Sequence, residues 1–217
     1  MYQAGGYGPP LHIGTPHTPT THPELKPYHL GNMTPVRIAF LDRDDTLIAC
    51  NTLEPEPPPA APGDLIDPKK VSLLGGVLEG CTALAAAGYT LVVVSNQGSV
   101  ARGATDLRGV ERVNRRVDEL LRDREGRPLI SRFYFCPFHP KGSVASFTRE
   151  HAWRKPGGGM VLEAMRELSA QSQDCIMIGD ATRDIEAAIV AGLEPRKCVQ
   201  VTDTVDFLAA VRKVLQA

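Results

Sequence analysis

The sequence has few aromatic side chains and no excess of either charge. Phe, Trp and Tyr make up 6% of the 217 residues, and the formal net charge is −1 at pH 7. This balance argues against nucleic acid or an anionic membrane surface as the main partner. No apolar run approaches the ~20 residues that a membrane-spanning helix needs. We therefore expect a chain that binds neither nucleic acid nor membranes.

Closely spaced cysteine pairs are also lacking. The five cysteines are scattered, odd in number and outside any CxxC motif: Cys50, Cys81, Cys136, Cys175 and Cys198. The last two lie in apolar runs, which is typical of buried, reduced thiols. No basic start followed by an apolar core opens the sequence, so we expect no signal peptide. A cytoplasmic location fits this cysteine usage better than secretion.

Residues 1–35 differ in composition from the rest. They contain seven prolines and several glycines but few large apolar residues, so we predict a mostly disordered tail before a folded domain at 36–217. The tail also holds four of the six histidines: His12, His17, His22 and His29. Their loose spacing, without accompanying Cys or carboxylates, favours a solvated tail over a metal site.

Strand-like and helix-like segments alternate from residue 36 onward. Short β-rich apolar runs predict strands at 36–41, 89–94, 129–135, 175–178 and 198–201. Helical periodicity predicts helices at 71–87, 107–122, 160–168, 184–190 and 205–215. The alternation predicts an α/β fold with three layers, in which a parallel sheet of about five strands is covered on both faces. A Pro-rich stretch at 54–62 is expected to form an exposed loop.

Chemically active side chains follow three of the predicted strands. Asp42 and Asp44 come after the first, Ser95 after the second, and Asp180 after the fourth, with Asp184 one helical turn further on. Lys155 lies between the third and fourth strands. Because parallel α/β sheets bind ligands beyond the carboxyl ends of their strands, we expect these groups to meet at one edge.

This set of groups suits phosphoryl transfer. Asp42 can attack phosphorus and form an acyl phosphate, and Asp44, two residues on, can exchange protons with the leaving group and with water. A bound Mg²⁺ would keep the clustered carboxylates from repelling the phosphate. Each motif alone is weak, since an acidic pair usually marks a turn or a helix cap. The combination, in this order, is far more specific.

The segments FLDRDDTL, VVVSNQG, WRKP and MIGDATRD resemble the four motifs of the haloacid dehalogenase superfamily, over about residues 36–217. Within it, FLDRDDTLI, LVVVSNQGSVARG, YFCPFHPKGSV and RKPGGGM resemble the cap-less branch of heptose 1,7-bisphosphate phosphatases and histidinol phosphatases. The resemblance implies a Rossmann-like three-layer fold without a large cap domain. It also implies a magnesium-dependent phosphatase that forms an aspartyl-phosphate intermediate.

The resemblance assigns roles to individual residues. It implies Asp42 as nucleophile and Asp44 as general acid and base, with Mg²⁺ held by Asp42, the Asp44 main-chain carbonyl and Asp180. Asp184 would complete or orient that metal site. The phosphate or substrate contacts that it implies are Thr46, Ser95, Asn96, Arg102, Arg154 and Lys155.

The sequence departs from the family pattern in three places. Asp45 stands where glycine is usual, and Ala181 replaces a lysine. Many relatives hold a structural zinc with Cys-x-His followed by Cys-x-Cys, but here Phe138 and Trp153 interrupt both pairs. The weak zinc ligands that remain are Cys136, His139 and His151. A structural zinc needs four N or S ligands, so we expect no zinc and a loop held by apolar packing instead.

Several functions remain open at this point. The favoured function is hydrolysis of a small sugar phosphate similar to a heptose 1,7-bisphosphate. We expect the enzyme to be a monomer. Histidinol phosphate, a 3′-phosphate at a nucleic-acid end, and a non-catalytic phosphate-binding module are the alternatives. Two interpretations of the 54–62 loop are equally favoured: a partial lid over the site, or a tolerated surface insertion.

Overall fold

Helices and strands alternate along the chain in the computed structural model, which describes residues 11–13 and 35–216. The strands are β1 (Leu11–Ile13), β2 (Val36–Leu41), β3 (Tyr89–Asn96), β4 (Ile130–Cys136), β5 (Ala170–Gly179) and β6 (Cys198–Gln200). The α-helices are α1 (Val77–Ala86), α2 (Ser99–Arg102), α3 (Leu107–Leu120), α4 (Gly159–Leu168), α5 (Thr182–Val190) and α6 (Phe207–Gln216). Within the described ranges, every helix is too short or too polar to span a bilayer.

The strands form one parallel sheet in the order β1-β4-β3-β2-β5-β6. β2 lies between β3 and β5, so the chain builds the sheet outward on both sides of its first long strand. In such sheets a crevice opens beyond the carboxyl ends of the strands where the order reverses. Here that point is the end of β2.

Alternate residues of β2 face two different cores, because successive side chains of a strand point to opposite faces. Ala39 and Leu41 pack with apolar residues of α1, α3 and α6. Ile38 and Phe40 pack on the other face with residues of α4 and α5. All four β2 side chains are fully buried. The predicted three-layer α/β fold is therefore confirmed.

The first helix is shorter than the predicted range of 71–87, and the prediction was wrong for 71–76. Leu73 instead bridges Ile48 in antiparallel fashion, and the Leu74 amide donates to the Leu47 carbonyl at 3.0 Å. Gly76 then turns the chain with φ at +77°, a conformation that favours glycine. Leu73 and Leu74 are thus partly buried against the core by pairing with the loop after β2. The spacing of apolar residues alone does not distinguish this arrangement from a helix.

Among the described residues, one α-helix and one strand were not predicted. The four residues of α2 are too few to show a helical period. The strand β1 lies inside the predicted tail and pairs with β4, with Leu11 opposite Phe133 and Ile13 opposite Phe135. Residues 1–10 and 14–34 lie outside the described residues, as do all four tail histidine side chains. The division at residue 35 and the solvated-histidine interpretation therefore stay predictions.

Candidate active site

The groups predicted to meet lie together beyond the ends of β2, β3 and β5. Asp42 follows β2 directly, and its amide donates to the Ile178 carbonyl of β5 at 3.0 Å. Ser95 and Asn96 are the last residues of β3, and Asp180 follows β5. The parallel register of the three central strands thus brings side chains from distant parts of the chain to one edge.

Lys155 lies between two buried carboxylates. Its Nζ contacts Asp42 Oδ1 and lies 2.6 Å from Asp184 Oδ1. The same ammonium donates to the Val94 carbonyl at 2.8 Å. The side chains of Lys155, Asp42 and Asp184 are 1%, 6% and 0% exposed, so solvent screens these contacts little.

Burial and crowding shift the ionisation of this pair. Burial raises the pKa of Asp42 to about 7; the Lys155 ammonium opposes the rise, and the carboxylates of Asp184 and Asp44 add to it. Burial alone would lower the pKa of Lys155, but Asp42 and Asp184 outweigh it and the pKa is raised. Several carboxylates share one ammonium, so the cluster has an excess of negative charge that a proton or a cation can neutralise.

Three carboxylates of this edge could hold a metal ion. Ligand oxygens of Asp42, Asp180 and Asp184 all lie within 4.8 Å of one another. Asp180 Oδ1 is buried and has no hydrogen-bond partner among the described residues. Burial, together with the Asp184 charge, raises the pKa of Asp180. An unpartnered buried oxygen within an all-carboxylate cluster fits a hard divalent cation.

Asp184 is held where it is by the turn between β5 and α5. Its Oδ2 accepts the Ala181 amide at 2.9 Å, so the side chain also caps the first turn of α5. Gly179 permits this approach, because a Cβ there would lie 2.5 Å from the Asp184 Cβ. The Asp184 carboxylate therefore combines a capping role with its contact to Lys155.

Asp44 is bound by four neighbouring side chains, one of which is Cys50, whose Sγ donates to Oδ1 at 3.2 Å. Arg43 Nε and Nη2 donate to its two oxygens at 3.0 and 3.1 Å. Gln97 Nε2 donates to Oδ2 at 2.7 Å, and Ser95 Oγ does so at 3.3 Å. The Asp44 side chain stays 23% exposed, so it remains accessible from the crevice while its orientation is set from behind.

Asp45 adopts the conformation that glycine would take more easily. Its φ is +56°, in the left-handed region. Its Oδ1 accepts the amides of Cys50 and Asn51, both at 2.9 Å. Aspartate tolerates this conformation best when its side chain bonds to nearby backbone in this way. The turn behind Asp44 is thus maintained although glycine is absent.

Asn96 and Thr46 support the two central charged residues. The Asn96 side chain accepts the Lys155 amide at 2.9 Å and donates to the Lys155 carbonyl at 3.0 Å. Thr46 Oγ1 donates to Asp42 Oδ2 at 3.4 Å and is fully buried. These contacts position Lys155 and Asp42; contact of Asn96 or Thr46 with substrate stays a prediction.

A cavity of about 400 Å³ opens over this edge. Four aspartates and three arginines are among the residues that line it: Asp44, Asp45, Asp64, Asp180, Arg102, Arg154 and Arg183. Burial lowers the pKa of Arg154, and the nearby Arg102 and Arg183 lower it further. The cavity lining therefore combines carboxylates with guanidinium groups, as a site for a metal ion and an anionic ligand would.

The Pro-rich loop reaches this cavity at its carboxyl end. Ala61 and Pro62 line it, as do the next three residues, Gly63, Asp64 and Leu65. Most of 54–62 is exposed. The end of the loop is part of the cavity wall, and its action as a lid stays a prediction.

Sequence reasoning missed four side chains of the site: Arg43, Asp64, Gln97 and Arg183. Arg43 stands between the two motif aspartates, and Gln97 lies two residues after Ser95 on the same strand end. Those positions were a usable signal, since neighbours of reactive groups often orient them. Asp64 gave no local signal, because only the tertiary fold brings it to Arg102.

The loop that held the weak zinc candidates is packed with rings. Phe138 stacks on His151, with centroids 4.3 Å apart and planes at 22°. The Arg149 guanidinium lies 4.0 Å from the centre of the Phe138 ring, on its face. Trp153 meets Tyr134 edge-on at 6.0 Å. This is the apolar packing that the sequence predicted for the loop.

The candidate zinc ligands do not form a cluster. In residues 11–13 and 35–216, the one group of three metal-ligating side chains found is the aspartate cluster, which excludes Cys136, His139 and His151. Nδ1 of His139 accepts the Lys141 amide, and Nδ1 of His151 accepts the Trp153 amide. Burial lowers the pKa of both histidines. The expectation that this loop binds no zinc stays a prediction.

Comparison with known proteins connects this geometry to a family. A family model described as HAD-hydrolase-like matches residues 152–206. The D-glycero-β-D-manno-heptose-1,7-bisphosphate 7-phosphatase of Yersinia pestis is 34% identical over 161 residues, which are 74% of this chain and 79% of that protein. The enzyme of the same name from Mesorhizobium japonicum is 34% identical over 183 residues, covering 83% of this chain and 78% of that one.

A solved structure shares the fold. It is the D,D-heptose 1,7-bisphosphate phosphatase from B. bronchiseptica, complexed with magnesium and phosphate. It superposes with a TM-score of 0.65 over 83% of this chain and 99% of that chain, at 22% identity. At that identity the likeness is one of fold.

Proposed function

Because the chain belongs to the HAD-like phosphatases that these relatives represent, we propose that it hydrolyses the phosphomonoester of a small sugar by nucleophilic attack of Asp42. The observation that carries this proposal is the contact of Asp42 with Lys155 beside two further carboxylates. A carboxylate paired with an ammonium at the end of a central strand is well placed to attack phosphorus. The ammonium would balance the charge that the phosphoryl group brings.

Asp44 is proposed as the proton donor and acceptor. It lies two residues after Asp42 and, unlike Asp42, is partly exposed toward the cavity. The fork of Arg43 and the amide of Gln97 fix its orientation. A carboxyl group held in this way can protonate the leaving oxygen and then accept a proton from water.

Magnesium is the proposed cofactor. Asp42, Asp180 and Asp184 would hold it, together with the main-chain carbonyl of Asp44, and the unpartnered Asp180 oxygen supports this assignment. Bound Mg²⁺ would neutralise charge on the phosphoryl oxygens. The protein side chains then position the phosphate, with Ser95 and Lys155 as its proposed contacts.

The cavity supports a small substrate. A volume of about 400 Å³ suits a sugar phosphate and lies within the range of small-molecule sites. Arg102 and Arg154 are proposed to contact polar or anionic groups of the leaving part. The names of the relatives make heptose 1,7-bisphosphate the first compound to test.

The test is turnover by the purified chain of a panel of phosphomonoesters, ranked by kcat/KM. The panel holds heptose phosphates, histidinol phosphate, nucleotides and p-nitrophenyl phosphate. We expect Mg²⁺-dependent hydrolysis that EDTA abolishes, and we expect Asp42→Asn to lower kcat by at least about 10³-fold, because it removes the nucleophile. The matched control is Asp203→Asn, an exposed aspartate that does not line the cavity, which should keep wild-type activity. Normal turnover by Asp42→Asn would refute the mechanism.

A further inference from the structure

Asp64 forms an ion pair with Arg102 inside the cavity wall. Arg102 Nη2 donates to both carboxylate oxygens of Asp64, at 2.6 and 2.7 Å. The side chains are 14% exposed for Asp64 and 22% for Arg102, so water screens the pair only partly. Both residues line the cavity, and thus the pair lies where the leaving part of a substrate would be.

The Asp64 carboxylate is held in this position before any ligand arrives. Its Oδ2 accepts the Ala61 amide at 2.8 Å, and its own amide donates to the Ala61 carbonyl at 3.0 Å. Gly63 supplies the turn between them with φ at +82°. The carboxylate is therefore fixed by its own loop and does not depend on Arg102 alone for its orientation.

The three arginines of the cavity differ in how their charge is balanced. Arg102 has Asp64 as a partner. Among the described residues, Arg154 and Arg183 form no ion pair with a carboxylate, and Arg154 donates only to the Phe138 carbonyl, at 3.3 Å. Asp64 thus neutralises one of the three cations that could attract an anionic group of the substrate.

We propose that Asp64 is an internal counterion of Arg102 that weakens binding of a second phosphate and so shifts the chain's preference toward sugars with a single phosphate. The inference rests on the proposed function for the identity of the substrate class. A second phosphate brought to Arg102 must either displace Asp64 or lie beside its negative charge. Displacing Asp64 and placing a phosphate beside it each lower the affinity of the second phosphate. A neutral hydroxyl group at the same place does not carry this cost.

The experiment compares glucose 1,6-bisphosphate with glucose 6-phosphate, two ligands that differ by one phosphate. Dissociation constants are measured by calorimetry with Mg²⁺ in the Asp42→Asn background, where turnover does not interfere. We expect Asp64→Asn to raise the affinity for the bisphosphate relative to the monophosphate by about tenfold or more, because a like charge within a few ångströms is removed. Asp64→Ser, which keeps an acceptor for the Ala61 amide, is the second variant and should act in the same direction.

Glu56→Gln is the matched control. It removes one negative charge from the same loop, but Glu56 pairs with Lys70 at 2.9 Å and does not line the cavity. The affinity for the bisphosphate divided by the affinity for the monophosphate should stay at its wild-type value in this variant. A change there as large as that in Asp64→Asn would mean that the net charge of the loop, and not the ion pair, sets the preference.

The opposite outcome has a clear meaning. If Asp64 instead orients Arg102 so that it binds the second phosphate, Asp64→Asn lowers the affinity for the bisphosphate relative to the monophosphate. A lowered or an unchanged affinity ratio overturns the proposal. Failure of the proposed function is a separate result, since it appears as absence of hydrolysis by the wild-type chain on the whole panel. The binding ratio is measured without turnover, so it tests Asp64 in either case.

Discussion

Arg43 is a fully buried cation whose three nitrogens each have a partner. Nε and Nη2 bind Asp44, and Nη1 donates to Asn114 Oδ1 of α3 at 2.8 Å. A buried charge is tolerated when it is paired and hydrogen-bonded in this way. Arg43 therefore ties the proposed acid and base to a helix on one side of the sheet.

Replacing Arg43 by lysine should harm chemistry more than binding. Lysine keeps the charge but cannot make the planar fork, so Asp44 loses its orientation. We expect kcat with p-nitrophenyl phosphate to fall by about 10²-fold with little change in KM. Arg37→Lys, at the opposite end of β2 where Arg37 packs on Tyr89, is the control and should keep kcat. A raised KM with unchanged kcat would instead place Arg43 in substrate binding.

The raised pKa of Asp42 predicts that protons compete with the metal. Below about pH 7 the metal-free carboxylate cluster binds a proton, because the pKa of Asp42 is raised to about 7 by burial. Binding of Mg²⁺ must then release that proton, so affinity for Mg²⁺ should fall as the pH falls from 8 to 6. Calorimetry at pH 6.5 in buffers of different ionisation enthalpy measures the release directly. Equal heats in all buffers would contradict the assignment.

At the scale of elements, α1 packs closely on α6 through a glycine. A Cβ at Gly80 would lie 2.7 Å from a ring carbon of Phe207 and 3.1 Å from a methyl group of Val211. Phe207 and Val211 are both buried, so they have little space to move away. The absence of a side chain at Gly80 is what lets the two helices approach.

Gly80→Ala should therefore destabilise the protein although alanine favours helices. We expect a loss of about 1–3 kcal/mol in the free energy of unfolding from overpacking, reduced by the gain of up to about 1 kcal/mol from helix propensity. Gly75→Ala is the control, since a Cβ there meets nothing within 4 Å. Urea denaturation of the three proteins provides the comparison. A more stable Gly80→Ala protein would show that the helix pair adjusts freely.

At the scale of the whole molecule, the sheet and the position of the site could be predicted. Parallel strands carry near-continuous apolar runs, and their carboxyl ends meet at one edge, so the location of Asp42, Ser95 and Asp180 followed from counting strands. In the structure Lys155 contacts Asp42 at this edge, and Ser95 and Asp180 lie at the ends of β3 and β5. Periodicity also found α3 to within two residues, because its apolar stripe is regular.

What could not be predicted depends on contacts between distant segments. The partner of Arg102 is Asp64, 38 residues earlier, and no local pattern marks that pair. The start of α1 moved to Val77 because Leu73 and Leu74 pair with the loop after β2. Asp45 in a glycine-like turn is explained only by two backbone amides that lie five and six residues further on.

The long separation between Lys155 and Asp42 has a consequence for how the protein is made. The two residues lie 113 positions apart, and Asp184 is further still. A ribosome that has released only the first 150 residues has produced Asp42, the proposed nucleophile, without the ammonium that contacts it. The proposed activity can thus emerge only after Lys155 and Asp184 have been synthesised, and a product terminated before residue 155 should be inert, whatever part of the sheet it had already assembled.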